Sequence, residues 1–168
     1  MDIEQPKFVL DANTFIQAAR HYYSFDIAQS FWDNLVCFAA DDKIVSIDKV
    51  FQEMKEGRDK LRDWAINDFS NYFDTTQTSA IVQRYADLMQ WAERQTQYNQ
   101  NAKDDFMDDS NADAWVLAYA KANDCILVTL EIFRPDRKKS IPIPNVCDAF
   151  NIRHCNTFKM LKDLKFTF

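Results

Sequence analysis

Four carboxylic acids stand at points of the sequence where a parallel α/β sheet would gather them. One follows the first predicted strand, one lies on the helix after the second strand, one lies early in a later helix, and one follows the apolar run "LVT". They are Asp11, Glu53, Asp113 and Glu131. In open α/β sheets, ligands bind in the crevice at the carboxyl ends of the strands. We therefore expect the four side chains to meet at that edge.

A cluster of acids predicts metal chemistry. Carboxylates that lie together repel one another, so some must stay protonated unless a cation neutralises them. Mg²⁺ and Mn²⁺ prefer oxygen ligands, commonly keep several waters and can bridge to phosphate. One or two such ions would activate water and stabilise the leaving oxygen of an in-line attack. The acids therefore indicate hydrolysis of phosphodiester bonds.

Each acid taken alone also has an ordinary structural interpretation. Asp11 could occupy a turn or cap a helix, and Asp113 could be a first-turn acid that complements the helix dipole. Glu53 could be a solvated helix residue, and Glu131 could be a loop charge. A shared site is favoured because Glu53 and Asp113 are expected on the apolar faces of their helices, where a carboxylate needs a partner.

The elements that would position these acids can be predicted from hydrophobic periodicity. "FVL" predicts the first strand, and a helix capped by Asn13 follows Asp11. "KIVSI" predicts the second strand, and "DKVFQEMKEG" predicts a helix that Ser46 or Asp48 caps and Gly57 ends. "NADAWVLAYAKAND" predicts a further helix, and "CILVTLE" predicts a strongly apolar strand before Glu131.

The remaining segments complete an α/β pattern. "FDIAQSFWDNLVCFAA" predicts an amphipathic helix whose core face comprises Ile27, Phe31, Leu35 and Phe38. "NVCDAF" predicts a short edge strand, and "NTFKMLKDL" a terminal helix. Because strands separated by helices need crossovers, we expect a three-layer α/β/α sandwich with a central parallel sheet of four or five strands. It would form a single domain over residues 1–168, with a helical arm at about 58–99.

Composition excludes several classes of function. The chain has one glycine, Gly57, so neither G-x-G-x-x-G nor a Walker loop can be written. Its net charge of −6 argues against a protein that coats nucleic acid nonspecifically, although a local basic rim could still hold a backbone. Four cysteines without a C-x-x-C pair predict reduced, buried thiols rather than a zinc site or disulfides.

The start of the chain and its apolar runs bear on location. "MDIEQPK" has neither a basic n-region nor an apolar h-region, and no apolar run is long enough to span a bilayer. We expect a cytoplasmic protein without membrane association.

Four stretches in this order resemble the PIN domain, and in particular the DUF4411-type proteins of bacteria and archaea, which are relatives of VapC toxins. They are "VLDANTFI", "SIDKVFQEM", "NADAWVLAYAKANDCILVTLE" and "IPNVCDAFNI", and the resemblance covers nearly the whole chain. It implies that Asp11, Glu53 and Asp113 bind Mg²⁺ or Mn²⁺. Glu131 would be the fourth acid, at a position where aspartate is more usual.

The resemblance also implies an activity and partners. Families of this kind cleave single-stranded or structured RNA, often as toxins that a partner antitoxin neutralises, and they often form homodimers. Asn13 and Thr129 look like the polar neighbours that orient the acids. Asp109 lies four residues before Asp113 and would share its helix face if the helix began early, so it is a further candidate to support the site.

Basic residues follow Glu131 directly and are candidates for gripping RNA phosphates, although such a run can also be a solvated loop. They are Arg134, Arg137, Lys138 and Lys139. The sequence thus favours a metal-dependent endoribonuclease that acts as a toxin.

Two alternatives stay open. One is a catalytically weak PIN-like module that binds another protein. The other is a phosphatase similar to haloacid dehalogenases, because "DANT" resembles their D-x-D-x-T signature with Asp11 as nucleophile. Asn13 stands where that signature has its general acid, which ranks this alternative below the nuclease.

Overall fold

The structure is a computed structural model that describes residues 7–168. The prediction that the chain starts without a signal peptide concerns residues that lie largely outside this described part. Within it, the strands are β1 (Phe8–Leu10), β2 (Ile44–Ile47), β3 (Phe73–Asp74), β4 (Ile126–Val128) and β5 (His154–Cys155). They form one parallel sheet in the order β3-β2-β1-β4-β5. The predicted α/β fold with a central parallel sheet is confirmed.

Helices connect the strands and flank the sheet. They are α1 (Ala12–Gln17), α2 (Gln29–Ala40), α3 (Asp48–Glu56), α4 (Lys60–Asn67), α5 (Ser79–Arg94), α6 (Gln100–Met107), α7 (Ala112–Asn123), α8 (Ile143–Phe150) and α9 (Thr157–Asp163). A π-helical segment, Ala18–Tyr22, continues α1. No helix over residues 7–168 combines the length and the apolar character that a bilayer crossing requires.

Helix α7 lies at the centre of the core. All residues from Ala114 to Ala120 are buried, because the helix packs against α5 on one hand and against strands of the sheet on the other. Its alanines let the neighbouring elements approach closely, while Leu117 and Tyr119 fill the remaining space. The helix therefore holds its first turn, which carries Asp113, rigidly at the carboxyl edge of the sheet.

An aromatic cluster fixes the other side of that edge. The ring of Trp64 on α4 stacks on Phe69 at a centroid distance of 4.8 Å and meets Trp32 of α2 edge to face, also at 4.8 Å. Phe15 on α1 packs against Phe69 at 5.7 Å. Such ring pairs add to the free energy of burial. They anchor the first turn of α1 directly after Asp11.

The segment predicted as a helical arm packs onto the body of the domain. Within it, Leu61, Trp64 and Ala65 of α4 are buried, and α5 lies along α7. The short strand β3 belongs to the same segment and pairs with β2.

Several sequence-based predictions of local structure are wrong. "NVCDAF" is part of α8 rather than an edge strand, because Ile143, Val146 and Cys147 recur at helical spacing and are all buried. The edge strands β3 and β5 were not predicted, since two residues show no periodicity. Ile27 is 83% exposed and precedes α2 instead of facing the core. Cys37 is exposed, in contrast to the predicted buried thiol.

Candidate metal centre

Asp11 is both a helix cap and a buried acid. Its Oδ1 accepts hydrogen bonds from the Thr14 backbone N at 2.8 Å and from Thr14 Oγ1 at 2.7 Å, so Asp11 rather than Asn13 caps α1. Its Oδ2 is buried and has no hydrogen-bond partner in the described structure. Burial raises the pKa of Asp11 to about 6, against the opposing effect of Thr14. A buried oxygen without a partner is the feature that a cation would satisfy.

Asp113 is the second strongly perturbed acid. It lies in the first turn of α7, where its backbone N donates to Asn111 Oδ1 at 3.0 Å. Burial raises its pKa to about 7, and the carboxylates of Glu131, Asp11 and Glu53 add to this rise in that order. The field of the other three predicted acids therefore reaches Asp113.

Glu131 is held at the start of α8. Its Oε2 accepts a hydrogen bond of 2.7 Å from the backbone N of Ile143, the first residue of that helix. Its own backbone N donates to Thr129 Oγ1 at 3.2 Å. One carboxylate oxygen thus satisfies a helix end, and the negative charge complements the helix dipole.

Glu53 departs from its predicted position. It is exposed, whereas Val50 and Met54 form the buried face of α3, so the expectation that Glu53 lies on the apolar face is wrong. Burial of part of the side chain and the neighbouring Glu56 still raise its pKa. It lines a groove of about 460 Å³ together with Asn111.

The acids form an electrostatic cluster rather than a closed chelate. Over residues 7–168, no three His, Cys, Asp or Glu side chains lie close enough together to hold a metal ion as they stand. The pKa shifts of Asp11 and Asp113 nevertheless show that the carboxylates sense one another. The donor set is all oxygen, and Asp11 Oδ2 is unsatisfied, which is the donor chemistry that a hard divalent cation prefers.

A groove of about 510 Å³ opens beside the cluster and brings acids and bases together. Asp113 and Glu131 line it together with Arg134 and Arg137, which belong to the same loop between β4 and α8 as Glu131. The other two basic residues of the run, Lys138 and Lys139, are exposed and are not among its lining residues.

Of the polar residues predicted to support the acids, only Thr129 is buried near Asp11. Thr129 is buried, and its hydroxyl lies near enough to lower the pKa of Asp11, although it makes no hydrogen bond of standard geometry with that carboxylate. Asn13 is exposed. Asp109 is exposed too, and its backbone O accepts from Trp115 Nε1 at 2.9 Å.

Sequence reasoning missed residues that act through long-range contacts. The single hydroxyl hydrogen of Thr14 lies between two acceptors, Asp11 Oδ1 at 2.7 Å and the Val128 backbone O at 3.0 Å, so Thr14 links the residue after β1 to the end of β4. Asn145, a buried residue of α8, bonds the backbone of Arg134. A polar residue among the apolar positions of "IPNVC" was the only signal for Asn145.

The parallel sheet, with acids at the carboxyl ends of β1 and β4 and at the start of α7, defines an α/β protein of PIN-like fold. A chain in the crystal structure of VapBC2 from Rickettsia felis bound to a DNA fragment from their promoter shares this fold: the TM-score is 0.54 at 16% identity, over 89% of the present chain and 97% of the other. The family model described as "Domain of unknown function (DUF4411)" matches residues 8–168. The chain therefore belongs to the DUF4411 family, as its sequence predicts. No curated protein matches it.

Proposed function

We propose that this protein is a Mg²⁺- or Mn²⁺-dependent endoribonuclease that acts as the toxin of a toxin–antitoxin pair in the cytoplasm. One observation carries the proposal: Asp11 keeps a buried carboxylate oxygen without a partner, within the electrostatic reach of Asp113 and Glu131. Folding three acids toward one edge costs free energy in the absence of a cation. A functional requirement for that cation explains the arrangement.

The residues divide the work by position. Asp11 and Asp113, with Glu131 and the more exposed Glu53, would hold the ion. A bound Mg²⁺ or Mn²⁺ supplies activation of water and neutralises charge on the phosphate that is attacked. Arg134 and Arg137 line the same groove and would hold the RNA backbone, because guanidinium groups match phosphate geometry.

Similarity supports the biological setting. The structure that shares this fold is VapBC2 bound to a DNA fragment from their promoter. We propose an antitoxin protein as partner and, as the resemblance of the sequence to VapC relatives implies, a homodimer as the assembled state. Asn13 is exposed and stands where the phosphatase signature has its general acid, which ranks a phosphatase similar to haloacid dehalogenases below this interpretation.

Cleavage of total RNA tests the proposal. Wild-type protein should cut RNA with Mn²⁺ or Mg²⁺ and not with EDTA, and Asp11→Asn should abolish cutting while its circular dichroism stays native. Asp105→Asn, which changes an exposed acid of α6, is the matched control and should cut as the wild type does. Cutting by Asp11→Asn, or cutting in EDTA, would refute the assignment.

A catalytically weak protein-binding module is the second candidate. It is favoured by the exposure of Glu53 and by the spacing of the acids in the described residues. Calorimetric titration with Mn²⁺ separates the two. Binding that is lost in Asp11→Ala and Asp113→Ala supports the nuclease, and the absence of binding to wild-type protein supports the module.

A further inference from the structure

The loop between β4 and α8 exposes apolar side chains next to its basic residues. Ile132 is 60% exposed and Phe133 is 51% exposed, although neighbouring sequence is rich in charge. Two adjacent large apolar side chains that are more than half exposed form a small patch that a ligand could cover.

The same loop is held in one shape by hydrogen bonds to its backbone. Asn145 Oδ1 accepts from the Arg134 backbone N at 2.9 Å, and Asn145 Nδ2 donates to the Arg134 backbone O at 2.8 Å. Gln97 Nε2 donates to the backbone O of Pro135 at 2.6 Å and of Arg137 at 2.8 Å. Loops carry binding residues most effectively when a scaffold positions them. These bonds fix the backbone on both sides of the basic side chains.

The patch is continuous with the groove of the acids. Ile132, Arg134 and Arg137 line both that groove and a second one of about 380 Å³, which Phe133 also lines. Over residues 130–139 the loop carries four basic residues against two acids, in a chain whose net charge is −6. Positive charge at this place in an acidic chain complements a polyanion such as a nucleic-acid backbone.

We propose that residues 132–137 form a preformed platform for single-stranded nucleic acid. Phe133 stacks on an unpaired base, Arg134 and Arg137 contact the flanking phosphates, and Asn145 is the positioning residue that fixes the loop. The proposal rests on the proposed nuclease function and specifies how its substrate is selected. An aromatic face beside cations is the arrangement that binds single strands without regard to sequence. A base paired in a duplex offers no free face to Phe133.

Binding without cleavage tests the platform. Two probes are used: a short fluorescent single-stranded RNA of mixed sequence, and the same strand annealed to its complement. Their binding is followed by fluorescence anisotropy in EDTA. Wild-type protein should prefer the single strand. Phe133→Leu should weaken single-strand binding by about 5- to 100-fold, as expected for one base stacked on an aromatic ring, and should leave duplex binding unchanged. Phe133→Trp, which keeps an aromatic ring at this position, should prefer the single strand as the wild type does.

Two controls isolate the site and the role of Asn145. Phe158→Leu alters a phenylalanine that is 48% exposed and packs edge to face on Tyr22, and it should bind RNA as the wild type does. Asn145→Ala should weaken single-strand binding in wild-type protein and have a smaller effect in a Phe133→Leu, Arg134→Ala double variant, because it acts by fixing the backbone that places these two side chains. A merely structural role would weaken binding equally in both backgrounds.

The outcomes separate this proposal from the nuclease. Unchanged single-strand binding by Phe133→Leu overturns the platform, even if wild-type protein cleaves RNA. The absence of any RNA binding by wild-type protein also overturns it. Loss of self-association in Phe133→Leu with unchanged RNA binding would make the loop a protein-contact surface and overturn it as well. Loss of binding in Phe133→Leu, in a protein that cleaves nothing, supports the platform and refutes the nuclease alone.

Discussion

The substitution Asp113→Asn should stabilise the metal-free protein, and more so at higher pH. Asp113 has a pKa of about 7 in the folded chain, against 3.8 as the ordinary value. Between pH 3.8 and about pH 7, the folded chain therefore keeps a proton on Asp113 that the unfolded chain has released. The free energy of unfolding of the wild type therefore falls as the pH rises through this window. An asparagine does not titrate, so the variant escapes this fall.

The magnitude follows from the size of the pKa shift. A shift of about three units corresponds to roughly 4 kcal/mol at pH 8. About 2 to 3 kcal/mol of it develops between pH 5 and pH 8, because part of the cost is already present at pH 5. The shifts of Asp11 and Asp113 share their mutual repulsion and do not add.

Urea unfolding in EDTA at pH 5 and at pH 8 measures the effect. The stability difference between Asp113→Asn and wild type should grow by about 2 kcal/mol between the two pH values, and any fixed cost of burying the amide cancels in this comparison. Asp105→Asn, the exposed control, should show no such growth. A difference that is equal at pH 5 and pH 8 would refute the reasoning that the half-buried carboxylate of Asp113, repelled by its acidic neighbours, lowers the stability at high pH.

Three further predictions concern the same residues. At a Mn²⁺ concentration near 100 times Kd, the free energy of unfolding of the wild type should rise by about 2.7 kcal/mol at pH 8. Mn²⁺ binding near pH 6 should release protons, because Asp11 and Asp113 must ionise to bind the ion. A binding heat that is the same in buffers of different ionisation enthalpy would contradict this. Glu131→Gln keeps an acceptor for the Ile143 backbone N and should lose less stability than Glu131→Ala, which loses the helix cap and about 1 kcal/mol; equal losses would exclude the capping role. Thr14→Val removes the hydroxyl that lowers the pKa of Asp11, so the pH at half-maximal Mn²⁺ binding should rise, and an unchanged midpoint would show that this hydrogen bond does not matter.

The position of Asp11 could be predicted because a strand end and a helix start leave a clear local signature. The sequence presented capping and participation in a site as alternatives, and the structure contains the groups for both: one oxygen caps α1, and the other is buried without a partner. Asp113 was predictable in the same way, from its place at the start of an alanine-rich helix.

Other features depend on contacts that no local pattern reports. Glu53 lies at the boundary between the buried and the exposed face of α3, where a small rotation of the helix about its axis decides whether a side chain is buried. Hydrophobic periodicity is too coarse to predict that rotation. The strands β3 and β5 exist because β2 and β4 offer them free edges. Asn145 is informative only once α8 lies beside the loop that it holds.

These contacts join the acids to the basic loop through one helix. Glu131 accepts the first N–H of α8, and two residues further along the same helix Asn145 holds the backbone of Arg134. The charge of Glu131 strengthens its bond to the helix end, since a hydrogen bond to an ionised acceptor is stronger than one to a neutral acceptor. A cation near Glu131 would draw on the same charge. We therefore expect occupation of the acidic cluster to alter the placement of Arg134 through α8.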